Sequence, residues 1–210
     1  MQYKIEKQYR LKNYDYSQEG YYFVTICTKN KEEFLGNIVG VDDDVKAELS
    51  KIGKIVEKVW LEIPEHFKNV ELDEYVIIPN HIHGIIVIKE NEYSRNIIHH
   101  VPDENCINGR NIACYVPTNY MNYTEEGSKF GKITQNSLSV IIRSFKSAVT
   151  KYLNENIPNH DFVWQSRFYD HIIRTEKSLS NIREYIRNNP LRWKFDRNND
   201  EEKDISKLFI

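Results

Sequence analysis

Tyr75-Val76-Ile77-Ile78-Pro79-Asn80-His81-Ile82-His83-Gly84-Ile85-Ile86-Val87-Ile88 is the most β-prone segment of the 210-residue chain. Side chains alternate along a strand, so His81 and His83 share one face and Ile82 takes the other. Residues i and i+2 lie roughly 6.5–7 Å apart along a strand, close enough for both imidazoles to lean onto one metal ion. Ile82, Gly84, Ile86 and Ile88 then form the opposite, core-facing row. The same pattern also suits two surface or hydrogen-bonded histidines. A catalytic metal site wants a third protein ligand and an open position, so the rest of the chain decides between the two.

The neighbouring segments supply a fold. Gly20 to Thr28 is aromatic and β-branched, a first strand ended by the polar Lys29-Asn30-Lys31 turn. Phe34 to Val41 suggests a short edge strand. Asp42-Asp43-Asp44 offers an N-cap and favourable dipole charge for a helix in which Val45, Leu49, Ile52, Val56, Val59 and Ile63 recur, ended by Pro64. Val70 to Tyr75 begins the strand that turns near Pro79-Asn80 into His81–Ile88. Leu138, Ile141, Ile142, Phe145, Val149, Tyr152 and Leu153 mark a further helix, and Phe162 to Ile173 reads as the last strand. A final helix starts near Thr175 or Ser178 and stops at Asn189, since proline disfavours helix before it. The order β-α-β-β-α-β-α predicts an α+β, ferredoxin-like antiparallel sheet with two helices on one face and an extra C-terminal helix.

Length and composition predict one domain over residues 20–193, preceded by an arm (1–19) and followed by a tail (194–210). Residues 89–136 are Asn-rich and aperiodic, and read as a loop insertion. No apolar run is long enough to span a membrane, and no signal-peptide core opens the chain. Cys27, Cys106 and Cys114 fit neither a disulfide framework nor a zinc knuckle, which points to a reducing cytoplasm. The net charge of −2 hides an asymmetry. From Leu138 to Lys194 there are 10 Lys/Arg against 5 Asp/Glu, leaving 19 against 26 elsewhere, a modest pointer to a polyanionic partner.

In the final helix, Leu179, Ile182 and Ile186 occupy a narrow docking arc, and Tyr185 and Asn189 lie one turn apart at its border. Such a pair can present a phenol and an amide oxygen to one spot; it also suits a boundary aromatic and a helix-end residue. Tyr169 is a rival phenol, but it stands in a predicted strand with no amide four residues on.

Together these pieces resemble a known family. Pro79-Asn80-His81-Ile82-His83-Gly84 looks like the His-hydrophobic-His motif of the HUH single-strand endonucleases. Trp164-Gln165, Tyr169 to Arg174 and Ile182 to Trp193 resemble the C-terminal half of single-tyrosine transposases, most closely the REP-associated tyrosine transposases. The resemblance covers most of Gly20 to Trp193 outside the insertion. It implies His81, His83 and Asn189 as metal ligands, Tyr185 as nucleophile, and Mg²⁺ or Mn²⁺ as the ion. Imidazole ligands by themselves favour softer metals than magnesium. Asn189 stands where the insertion-sequence relatives commonly carry glutamine, and asparagine is what the REP-associated branch uses.

The activity so implied is metal-dependent nicking and joining of single-stranded DNA near short hairpins through a covalent 5′-phosphotyrosine. Arg143, Lys146, Lys151, Arg167, Arg174, Arg183, Arg187 and Arg192 are candidate phosphate contacts, and Trp164, Tyr169 or Trp193 candidate base-stacking platforms. A nucleic-acid-binding domain without nuclease activity, and a hydrolase that activates water directly, are the competing readings. Whether the chain acts as a monomer or a homodimer is left open.

Overall fold

The computed structural model describes residues 11, 14–40, 45–90 and 136–196. Its main sheet takes β1 (Gly20–Cys27), β4 (Val70–Ile78), β5 (His81–Ile88) and β6 (Tyr169–Ile173) in the order β4-β5-β1-β6. All three pairings are antiparallel. The two central strands are those next to each other only through space, β1 and β5, which is the ferredoxin-like arrangement expected. Between β1 and β4 in sequence come α1 (Lys51–Leu61) and the single turn α2 (Ile63–His66), and between β5 and β6 comes α3 (Leu138–Asn156). Residues 91–135, nearly all of the segment read as an insertion, lie outside the described residues, as do Cys106 and Cys114.

Alternation along the central strands divides the interior in two. Tyr22, Val24, Ile26, Ile82, Ile86 and Ile88 face α1 and α3 and are buried with Trp60, Ile141, Ile142, Phe145 and Val149. Gly84 belongs to this row because a Cβ there would sit 2.5 Å from Trp60 Cζ2. Tyr16, within the segment read as an arm, is part of the same core. The opposite face is covered as well. Phe23, Ile85 and Ile173 pack against Leu179 and Ile186 of α4 (Glu176–Arg187). The extra helix therefore lies across the sheet face that carries the odd-numbered β5 residues, and gives the strand two buried sides.

Three expected boundaries are corrected. Residues 46–49 are a strand, β3, paired with β2 (Gly36–Val39), and not the start of a helix. The helix begins one residue after Ser50, whose hydroxyl accepts from Gly53 N at 3.0 Å. Ser50 thereby satisfies a specific orphan donor of the first turn, and Asp42–Asp44, read as the cap, lie outside the described residues. The last strand covers only 169–173; before it, Phe162 and Trp164 alternate inward without ladder partners beyond a bridge from Trp164 to Thr28. Pro190 does not end the helical path either. The α-helix closes at Arg187, and a 3₁₀ helix runs from Pro190 to Phe195. Proline at a first helical position loses no needed N–H.

Candidate active site

β5 places His81 and His83 on the face toward α4, and both are fully buried. Their Nε2 atoms stand 2.9 Å apart. Each ring is oriented from behind. Asn80 gives Nδ2 to the Lys31 carbonyl at 3.0 Å, which directs its Oδ1 to His81 Nδ1 at 2.7 Å. Accepting from His81 Nδ1–H in this way leaves the lone pair of His81 on Nε2. His83 Nδ1 lies 2.9 Å from Thr25 Oγ1. Thr25 is the residue directly opposite His83 in the β1–β5 register, so the contact follows from strand pairing. Phe23 stacks on the His83 ring at 5.3 Å.

The second half comes from α4 and the turn after it. Thr175 caps the helix by accepting from Ser178 N, and Leu179 and Ile186 bury its apolar stripe. Arg183 Nε donates to both oxygens of Asp73, at 3.0 and 3.2 Å, which ties the helix to β4. The guanidinium holds the Asp73 carboxyl below the ordinary carboxylate range. So placed, Tyr185 brings its hydroxyl 3.2 Å from His83 Nε2. Asn189 is buried, and its Oδ1 has no hydrogen-bond partner among the described residues.

One member of the cluster has no counterpart in the sequence reading. Asp196, from the stretch set aside as a tail, is buried among these groups. Its Oδ2 accepts from the Tyr185 hydroxyl and from Asn189 Nδ2, both at 3.3 Å. Its oxygens lie 3.9 Å from His81 Nε2 and 3.7 Å from His83 Nε2. The three-residue period of a 3₁₀ helix turns Trp193 and Asp196 inward together, and Trp193 shields the His81 ring at 6.0 Å. His81, His83 and Asp196 form a group able to hold a metal ion, their ligand atoms all within 4.8 Å of one another.

The donor set suits a cation. Bonds of about 2.0–2.2 Å to nitrogen or oxygen put neighbouring ligand atoms roughly 3–3.5 Å apart. The two Nε2 atoms are 2.9 Å apart, and one ligand atom from each of His81, His83 and Asp196 lies within 4.8 Å of the other two. Two imidazole nitrogens facing each other at 2.9 Å repel unless a proton or an ion lies between them. A buried amide oxygen left without a donor is costly in the same way, and a cation relieves both.

The other expected site residues are distributed differently. Arg143, Lys146 and Lys151 are on α3, in the layer across the sheet from the cluster. Lys146 Nζ donates to the carbonyls of Gln165 and Arg167, at 2.7 and 3.3 Å, and burial lowers its pKa to about 8. Trp164 is in the main core against Phe162 and Phe145 and presents no exposed face for stacking. Arg167, Arg174, Arg187 and Arg192 are exposed, while Arg183 is engaged with Asp73. Tyr169 packs edge-on to Phe23 beside the second core, on β6, with β1 between it and the histidines' strand.

No family model matches the chain. An uncharacterized protein of Haemophilus influenzae is 39% identical over 187 residues, which is 89% of each chain. A solved structure of a REP-associated tyrosine transposase bound to a REP hairpin superposes with a TM-score of 0.52 at 15% identity, over 90% of this chain and 76% of the other. The chain thus shares the fold of that structure. The chain belongs to the same family as the Haemophilus influenzae protein. Among the described residues no helix is long and apolar enough to cross a membrane.

Proposed function

We propose that this protein is a metal-dependent single-strand DNA endonuclease and strand transferase of the REP-associated transposase kind, with Tyr185 as its nucleophile. The observation that carries the reading is the 3.2 Å approach of the Tyr185 hydroxyl to His83 Nε2. A phenol on one element meets a buried histidine pair on another, with an unpartnered amide oxygen beside them. Sheet, fold order and helix placement match a protein whose solved complex contains a REP hairpin, so hairpin DNA with an adjacent single strand is the substrate class proposed.

In this reading His81, His83 and Asn189 hold a divalent ion, Mg²⁺ or Mn²⁺. When bound, such an ion supplies Lewis-acid polarisation of a phosphate oxygen. The chain's own residues do the rest. Asn80 and Thr25 fix the ring orientations. Phe23, Ile85 and Ile173 hold α4 so that the phenol faces the site, the positioning that makes attack effectively intramolecular. The phenol's proton leaves toward Asp196 Oδ2, which already accepts its hydrogen bond. Its oxygen bonds to phosphorus, the bond from phosphorus to the 3′ oxygen breaks, and that oxygen takes up a proton. The product is a 5′-phosphotyrosine that retains the energy of the broken bond for rejoining to another 3′-hydroxyl.

Incubating the chain with labelled hairpin DNA carrying a single-stranded flank and Mn²⁺ tests this directly. A denaturation-resistant protein–DNA adduct is expected with Tyr185 and none with Y185F. Cleavage retained by Y185F would favour direct water activation. Binding without cleavage, by folded protein over a panel of repeats, would favour a pure binding domain.

A further inference from the structure

We infer that Asp196 is a ligand of the metal site, so that the chain holds its ion before DNA arrives. The inference rests on the metal-dependent reading above and departs from it in the ligand set. His81, His83 and Asn189 are all neutral donors. A divalent ion in such a set keeps its whole charge, and a site of that kind depends on a phosphate oxygen to complete it. Asp196 changes this balance. Its side chain is 3% exposed, and its two oxygens lie 3.9 and 3.7 Å from the two Nε2 atoms, one oxygen facing each imidazole.

Its hydrogen bonds also organise the other donors. By accepting from Asn189 Nδ2, Asp196 sets the orientation of that amide, and the Oδ1 on its other side is the buried atom without a partner. Because His81 Nδ1 faces Asn80 Oδ1, His81 contributes a lone pair and not a proton at Nε2. Two imidazoles and a carboxylate therefore converge, their ligand atoms within 4.8 Å of one another, with the Asn189 amide held against the carboxylate through Nδ2. Two histidines and one carboxylate are a ligand group that suits first-row transition ions with open positions better than it suits magnesium. The carboxylate cancels one of the ion's two charges, and the remaining charge is still available to a phosphate. Asp196 has two oxygens, so one can ligate while the other keeps the Tyr185 hydroxyl aligned. The substrate-side consequence is a site loaded with an ion of the Mn²⁺ class in the absence of DNA.

Titration of the full-length chain with Co²⁺ without DNA, followed by visible d–d absorption, tests this. One equivalent should bind to the unaltered chain, and a hundredfold excess of Mg²⁺ should not displace it. D196N, which keeps the shape and removes the charge, should weaken binding by tenfold or more, and D196E should recover most of it. If D196N binds Co²⁺ as tightly as the unaltered chain, Asp196 is only a hydrogen-bond partner and the inference is wrong. If D196N does not fold, the unaltered chain still decides, since failure to bind Co²⁺ without DNA overturns the inference. A chain that binds the ion but never forms a DNA adduct would instead overturn the nuclease reading and leave the ligand assignment standing.

Discussion

Arg183 of α4 reaches Asp73 of β4 with Nε 3.0 Å from Oδ1 and 3.2 Å from Oδ2, a forked pair two residues away from Tyr185. It locks the helix that carries the phenol to the same chain's sheet, next to the strand that carries the histidines. A complete candidate site is thereby assembled within one chain.

Weakening that lock should loosen the phenol more than the fold. For D73N we expect a loss of about 1 kcal/mol, the upper range for a partly exposed pair, with adduct formation slowed by about tenfold. The pH dependence has a definite sign. Arg183 depresses the Asp73 carboxyl, so the stabilisation is whole above the ordinary carboxylate pKa near 4 and disappears as pH falls through the lower folded value. Urea midpoints of the unaltered chain and D73N should differ at pH 6 and draw together as the pH falls through the depressed Asp73 value. A gap that persists in acid would assign the effect to something other than this ion pair.

Y185F removes one hydroxyl that touches His83 and Asp196 and leaves the ring packed near Phe23. Stability should change by no more than about 1 kcal/mol, the scale of one hydrogen bond, while the covalent adduct is lost. Thermal melting and a denaturing gel measure the two effects separately.

Thr25 meets the site at His83 Nδ1, 2.9 Å away. T25V keeps the β-branched shape in β1 and removes the oxygen that orients the ring. Outer partners of ligating histidines are typically worth about 10–100-fold in metal affinity or activity. We expect a loss of that size in Co²⁺ affinity, read by titration, with the melting temperature almost unchanged. Equal affinity in T25V would show that packing by Phe23 alone orients His83.

Gly84 lies on the side of β5 that faces α1 and α3. A methyl there would meet Trp60 Cζ2 at 2.5 Å and Tyr75 Cβ at 3.3 Å. Trp60 is fully buried and cannot swing clear. G84A should cost about 1–3 kcal/mol through overpacking, measured by chemical denaturation, and should not act on metal affinity beyond what unfolding explains.

Much of this molecule was legible from residues alone, and the reason is periodicity. His81-Ile82-His83 in a β-branched run fixes which side chains share a face, because strand alternation leaves no other choice. Leu179, Ile182 and Ile186 likewise fix the docking side of the last helix, and with it the orientation of Tyr185. The spacing signals failed where packing overrode them. Val45 and Leu49 mimic a helical repeat but precede and close strand β3, and Phe162 and Trp164 alternate like a strand while merely filling the core. The basic residues of α3 could not be placed from sequence, since charge has no address until the layers are stacked.

Sequence by itself determined the strand with its two histidines, the helix with its tyrosine, and the order that makes a ferredoxin-like sheet, because each depends on local chemistry and period. Only the tertiary structure decided that α4 closes over the face opposite α1 and α3, that Thr25 and Asn80 orient the imidazoles, and that Asp196 enters the cluster. Those relations join residues far apart in the chain or follow a proline that local rules read as a stop. They exist only once β1 pairs with β5 and the 3₁₀ turn folds Trp193 and Asp196 back toward the histidines.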